Sequence, residues 1–98
     1  MPAPPIDAWA ARGLQQRLHE RYGLTHLRVR KRGLLLTVES GPSDDAHPHV
    51  RFRRDTVHLW KVEAASRGKW ERTHLRATLD ELLEILTTDF PWLLQSLD

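Results

Sequence analysis

The sequence predicts an α+β fold: an N-terminal helix, a four- to five-stranded antiparallel meander, a C-terminal helix and a short final helix, with the helices on one sheet face. Three observations lead there. Apolar residues recur at helical spacing from Ile6 to Tyr22, alternate with polar ones through much of 27–62, and return to helical spacing from Leu79 to Leu86. The links between these runs are too short for crossovers, so successive strands should pair with their neighbours. At 98 residues the chain has the size of one domain, 1–98.

Pro2, Pro4 and Pro5 make a leader over residues 1–5, expected to be flexible, and Pro5 or Asp7 can start the first helix. Trp9, Ala10, Leu14, Leu18 and Tyr22 form its apolar stripe, and Gly23 with Leu24 ends it. Leu27 to Arg30 and Leu34 to Glu39 then alternate around Gly33, a hairpin whose tight turn favours glycine. Residues 40–48 (Ser-Gly-Pro-Ser-Asp-Asp-Ala-His-Pro) read as a mobile loop.

The stretch from His49 to Glu63 reads as a central hairpin turning at Arg54-Asp55. Val50 and Phe52 should point one way, and His49, Arg51 and Arg53 the other. Beyond the turn, Val57 and Leu59 suit one face while Trp60 and Val62 suit the opposite one. A bulge near Leu59-Trp60, or a strand covered on both sides, would reconcile them. After a turn over 64–68, Lys69 to Arg72 reads as a short further strand. Thr78-Leu-Asp-Glu81 is a capping-box pattern opening a helix with Leu79, Leu82, Leu83 and Leu86 on its core stripe. Asp89 and Pro91 can begin the final short helix with Trp92, Leu93, Leu94 and Leu97.

Glu39-Ser-Gly-Pro42, Arg51-Phe-Arg53, Leu59-Trp60, Gly68-Lys-Trp70 and Leu82-Leu-Glu-Ile85 through Asp89 follow one another in an order that resembles a bacterial family of small proteins of unknown function. The resemblance implies the same helix, Trp-containing antiparallel strands and acidic Leu-rich helix. It implies no activity.

Without cysteine, the chain has no disulfide, thiolate ligand or Cys nucleophile. The N-terminus lacks a basic n-region and an apolar h-region, and no apolar run exceeds four residues. A soluble, cytoplasmic protein without membrane contact is expected. The net charge of +2 hides an asymmetry: residues 26–76 carry twelve Lys and Arg against six acids, whereas 77–98 carry five acids and no base. Such a centre suits a polyanion, unless the acidic tail docks beside it and neutralises it.

Arg28, Arg30, Arg51 and Arg53 should share one sheet face, with Lys31, Arg32 and Lys61 in support, Arg72 able to join them, and Trp60 or Trp70 able to stack on bases. The expected function is therefore that of a small non-enzymatic accessory protein whose basic face binds a polyanion, nucleic acid foremost, with no cofactor. Charged strand residues that merely keep a sheet soluble, and Trp residues that merely fill the core, are the plainer explanations. The alternative function is a protein-interaction or regulatory module using the same face or an edge strand. A metal-independent ribonuclease using His49, His58, Arg51 and Lys61 is less favoured. Asp44, Asp45, His47 and His49 offer ligand chemistry but no firmly placed third ligand, so they read as a solvated loop and no metal is expected.

Overall fold

The computed structural model of the chain describes residues 4–96. Asp7 caps the first helix, α1 (Ala8–Glu20), by accepting the Ala10 N–H at 2.9 Å. Five strands follow: β1 (Arg28–Arg32), β2 (Leu35–Ser40), β3 (His47–Arg54), β4 (Trp60–Ser66) and β5 (Lys69–Ala77). They form one antiparallel sheet in the order β1-β2-β3-β4-β5. Helix α2 (Leu79–Asp89) and a 3-10 turn, Pro91–Leu94, complete the described chain. Residues 1–3 of the leader, and Leu97 of the final helix, lie outside the described residues.

The hairpins have identifiable chemical causes. Gly33 takes φ +56°, as the first central residue of a II′ turn requires, and joins β1 to β2. Arg67 and Gly68 both have positive φ, +51° and +77°, which is the I′ pattern between β4 and β5.

Register decides the faces. Val29, Val38 and Val50 lie in one cross-strand row, and Leu36, Phe52 and Val62 in the next. Both rows face the helices, where Leu14 and Leu18 of α1 and Leu82, Leu83 and Leu86 of α2 close the core. Each such side chain contributes about 1.5–3 kcal/mol on burial. Thr78 caps α2 by accepting the Glu81 N–H, while its hydroxyl donates to the Glu81 carboxylate at 2.9 Å.

Two acids of α2 pair with the end of α1 and not with the basic residues of the sheet. Arg17 pairs with Asp80, Arg21 with Glu84 at 2.9 Å, and Tyr22 donates to the same Glu84 at 3.1 Å. The opposite sheet face carries no helix among the described residues.

Several sequence expectations need correction. The central turn is a five-residue loop, 55–59, because the Thr56 side chain accepts the N–H groups of His58 and Leu59 while the Leu59 carbonyl binds the Asp55 and Thr56 N–H groups. Val57 and His58 are therefore exposed loop residues, and β4 begins only at Trp60. That removes the register conflict, since Trp60 and Val62 share the core face. The loop expected over 40–48 shrinks to 41–46, with Ser40 in β2 and His47 and Pro48 in β3. The fifth strand is longer than Lys69 to Arg72 and runs to Ala77.

Two bulges interrupt the ladders. Val38 pairs with Val50 and Glu39 with Pro48, which leaves His49 as an extra residue on β3. A bulge turns such a residue to its neighbour's side, so His49 goes to the helix side and not, as expected, beside Arg51. In the second bulge Thr73, His74 and Leu75 of β5 oppose Val62 alone, between the Lys61–Arg76 and Glu63–Arg72 pairs.

Candidate polyanion-binding face

On the helix-free face the register sets the side chains in rows across the strands. One row is Arg32, Leu35, Arg53, Lys61 and Arg76, one residue per strand from β1 to β5. The next is Arg30, Thr37, Arg51, Glu63 and Arg72, and beyond it lie Arg28, Glu39 and Trp70. Arg53, Lys61 and Arg76 are direct cross-strand neighbours of like charge, an arrangement that costs stability in a sheet. Asp55, at the end of the row, offsets part of this by pairing with Arg76 at 2.5 Å and Lys61 at 3.9 Å. The Arg76 hydrogen bond foremost, and then the Lys61 charge, hold the Asp55 carboxyl below the usual carboxylate range.

Two buried carboxylates organise the arginines. Glu39 lies between Arg28, at 3.2 Å, and Arg30, at 2.5 Å. Glu63 lies between Arg51 and Arg53 in the same way, with two 3.1 Å bonds to Arg51 and a 3.4 Å contact to Arg53. The Arg51 fork, then the Arg51 and Arg53 charges, keep the Glu63 carboxyl low against the opposing effect of burial. Each motif fixes two guanidinium groups with a single negative charge. The face holds eight cations (Arg28, Arg30, Arg32, Arg51, Arg53, Lys61, Arg72 and Arg76) against Glu39, Glu63 and Asp55, an excess of five. Arg28 also keeps a buried Nη2 without a hydrogen bond among the described residues.

The aromatic on this face is Trp70. It is half-buried, and the Arg51 guanidinium lies 4.5 Å from its ring centroid. Trp60, expected here, is instead 5% exposed on the helix side, with Arg54 over its ring at 5.4 Å. Arg54 reaches that side to donate to the carbonyls of Pro5, Thr56 and Val57. Lys31 also leaves the face, because it pairs with Leu36 in a core-side row. The structure thus brings Arg28, Arg30, Arg32, Arg51, Arg53 and Lys61 together as expected, and separates Lys31 and Trp60 from them.

Sequence reasoning overlooked Arg76, His74 and the two organising glutamates. Glu39 follows Thr37, and Glu63 follows Lys61, at the two-residue spacing of one face, so the glutamates were open to detection. Arg76 and His74 were hidden because Thr73–Ala77 carries only Leu75 and Ala77 as apolar strand signal.

The other constellations come apart or find structural partners. His49 is buried; its Nδ1–H donates to the Leu93 carbonyl at 3.0 Å, and its Nε2 lies 2.8 Å from the Ser40 hydroxyl. Burial foremost, and the nearby His47 and His26, push its pKa below the ordinary value. With His49 tied to the 3-10 turn and His58 in the 55–59 loop, the set of His49, His58, Arg51 and Lys61 is not one site. His47 and His49 do share a side, with rings 5.0 Å apart. No group of three or more His, Asp or Glu among the described residues has the geometry to hold a metal ion. No described helix is long and apolar enough to cross a membrane.

No family model, no curated protein and no solved structure matches this chain. The functional reading rests on its own residues.

Proposed function

We propose that this chain is a small non-enzymatic accessory protein whose helix-free sheet face binds a polyanion, nucleic acid foremost. The observation that carries the reading is the row Arg32, Arg53, Lys61 and Arg76. A face selected only for solubility gains from alternating signs across strands, whereas this row sets three like charges side by side. Phosphates supply the missing counter-charge and release their own counterions on binding. Glu39 and Glu63 hold the arginines in place beforehand, which lowers the entropy lost on contact. Trp70, among these arginines, adds a π-surface of the kind that stacks on unpaired bases.

Fluorescence anisotropy with single- and double-stranded oligonucleotides at about 50 mM salt, where counterion release favours binding, tests the proposal directly. With an excess of five cations, the slope of log affinity against log salt on single strands is expected at roughly −3 to −4, from about −0.7 per phosphate. Absence of binding to both at that salt overturns it.

One observation favours a protein partner as the second reading. β5 is an edge strand, and the groove between it and α2, about 300 Å3 lined by Thr73, His74, Leu75, Leu86, Phe90 and Leu93, exposes almost only apolar surface. A chain that ignores oligonucleotides but captures an extended peptide along β5 would favour that reading.

A further inference from the structure

We infer that the cavity at the β4–β5 bulge is a discrete phosphate subsite, the point at which the basic face grips one phosphate group and not merely a field of positive charge. The inference rests on the nucleic-acid reading of this face and names the place where the contact is most specific.

The cavity measures about 330 Å3, and Arg53, Lys61, Arg72, His74 and Arg76 all line it, with Glu63 as its acidic member. Five basic residues thus line one concavity of the sheet. The bulge makes the concavity. Three residues of β5 span the place of one on β4, so the strand bows and spreads Arg72 and Arg76 to either side of His74. The bow is chemically satisfied from within: the Thr73 hydroxyl donates to the Val62 carbonyl at 2.8 Å and accepts the Leu75 N–H at 3.2 Å. It is a built feature of the sheet, held by the Thr73 hydroxyl.

The lining also differs in its charge balance from the rest of the face. Arg28, Arg30 and Arg51 are committed to buried glutamates. Around the cavity, Arg53 is held by Glu63 and Arg76 by Asp55, but the side chains of Arg72 and His74 have no ion-pair or hydrogen-bond partner among the described residues, and Lys61 reaches Asp55 only at 3.9 Å. An arginine fork free to turn inward, beside a lysine and an imidazole, matches the oxygens of a phosphate, which accepts several charge-assisted bonds at once.

Backbone and arginine side-chain NMR spectra of the full chain, titrated with inorganic phosphate and with chloride at matched ionic strength, read the subsite alone. A twelve-residue oligothymidine read by anisotropy reports the face as a whole. Phosphate, and not chloride, is expected to shift the amides of Arg72, Thr73 and His74 and the Nε signal of Arg72. Arg72→Ala, a change at an exposed side chain, is expected to abolish those shifts. It should also weaken oligothymidine roughly tenfold and flatten its salt slope by about 0.7, one phosphate's share. If oligothymidine binds but Arg72→Ala changes neither affinity nor slope, and phosphate acts no differently from chloride, the subsite is overturned while the basic-face reading stands. If phosphate shifts the bulge but oligothymidine does not bind, the nucleic-acid reading falls and the pocket remains a site for a small phosphate compound. If neither acts, both fall.

Discussion

Glu63 carries opposite consequences for folding and for binding. Its carboxylate receives the Arg51 fork and the Arg53 guanidinium in a nearly dry position. Glu63→Gln keeps the shape but removes the charge, and two arginines then share a site with no counter-charge between them. Stability should fall by about 1–3 kcal/mol, the usual cost of orphaning a buried charged partner. Affinity for oligonucleotide should rise, because the face gains one net positive charge. Chemical denaturation and anisotropy on the same variant check both, and a parallel loss of both would contradict the reading.

His49 gives the stability its pH dependence. In the folded chain, burial makes it take a proton less readily than an ordinary imidazole. Between that lowered value and about 6.5, the unfolded chain binds the extra proton, so stability is full above 6.5 and falls as the pH drops through it. His26 and His47, the rings facing it, add repulsion once charged. Glu63 acts at more acidic pH: its folded carboxyl is low, so its contribution is present above the ordinary carboxylate value and lost as the pH falls through the folded one. Denaturation midpoints from pH 7.5 to 5 should decline in the wild type and stay flatter in His49→Asn, which starts from a lower value. Equal slopes would remove His49 from the account.

Turns and bulges are the informative elements. Arg67 holds φ +51°, a conformation that costs most side chains about 1–2 kcal/mol. Asn tolerates it, so Arg67→Asn should stabilise the chain by about 0.5–1 kcal/mol, read as a rise of a few degrees in Tm. Thr73→Val, by contrast, removes the hydroxyl that pairs with both Val62 and Leu75 and should cost about 1–2 kcal/mol. These elements also mark how far the fold was legible. Helices α1 and α2 could be read from periodicity and caps, because Asp7, Thr78 and the leucine stripe are all local signals. The hairpin at Gly33 was equally plain. The 55–59 loop was not, since Val57 and Leu59 mimic a strand while Thr56, by binding two backbone amides, makes the turn. Nor were the bulges, which depend on pairing between distant residues and leave no local trace. Arg28, Arg30, Arg51 and Arg53 were legible because strand alternation alone sets their side, and His49 was misplaced because a bulge overrode that alternation.

At the scale of the whole molecule, charge is divided between two layers. The helical layer neutralises itself in part, with Asp80 and Glu84 of α2 held by Arg17 of α1 and Arg21 at its C-cap. Asp80 and Glu84 are therefore taken up within the helical layer, and the sheet keeps its excess. Lys61 stands at the centre of that excess, between Arg53 and Arg76. Lys61→Glu would place opposite charges side by side on three strands, which should leave stability equal or higher by a few tenths of a kcal/mol. Arg12, exposed on α1 and stacked near Trp9, provides a reversal of identical charge on the other layer. The most direct test is the salt dependence of single-stranded oligonucleotide affinity for the wild type, Lys61→Glu and Arg12→Glu. The account predicts at least a tenfold loss and a flatter slope for Lys61→Glu, with Arg12→Glu close to wild type. Equal losses in both variants, or none in either, would contradict it.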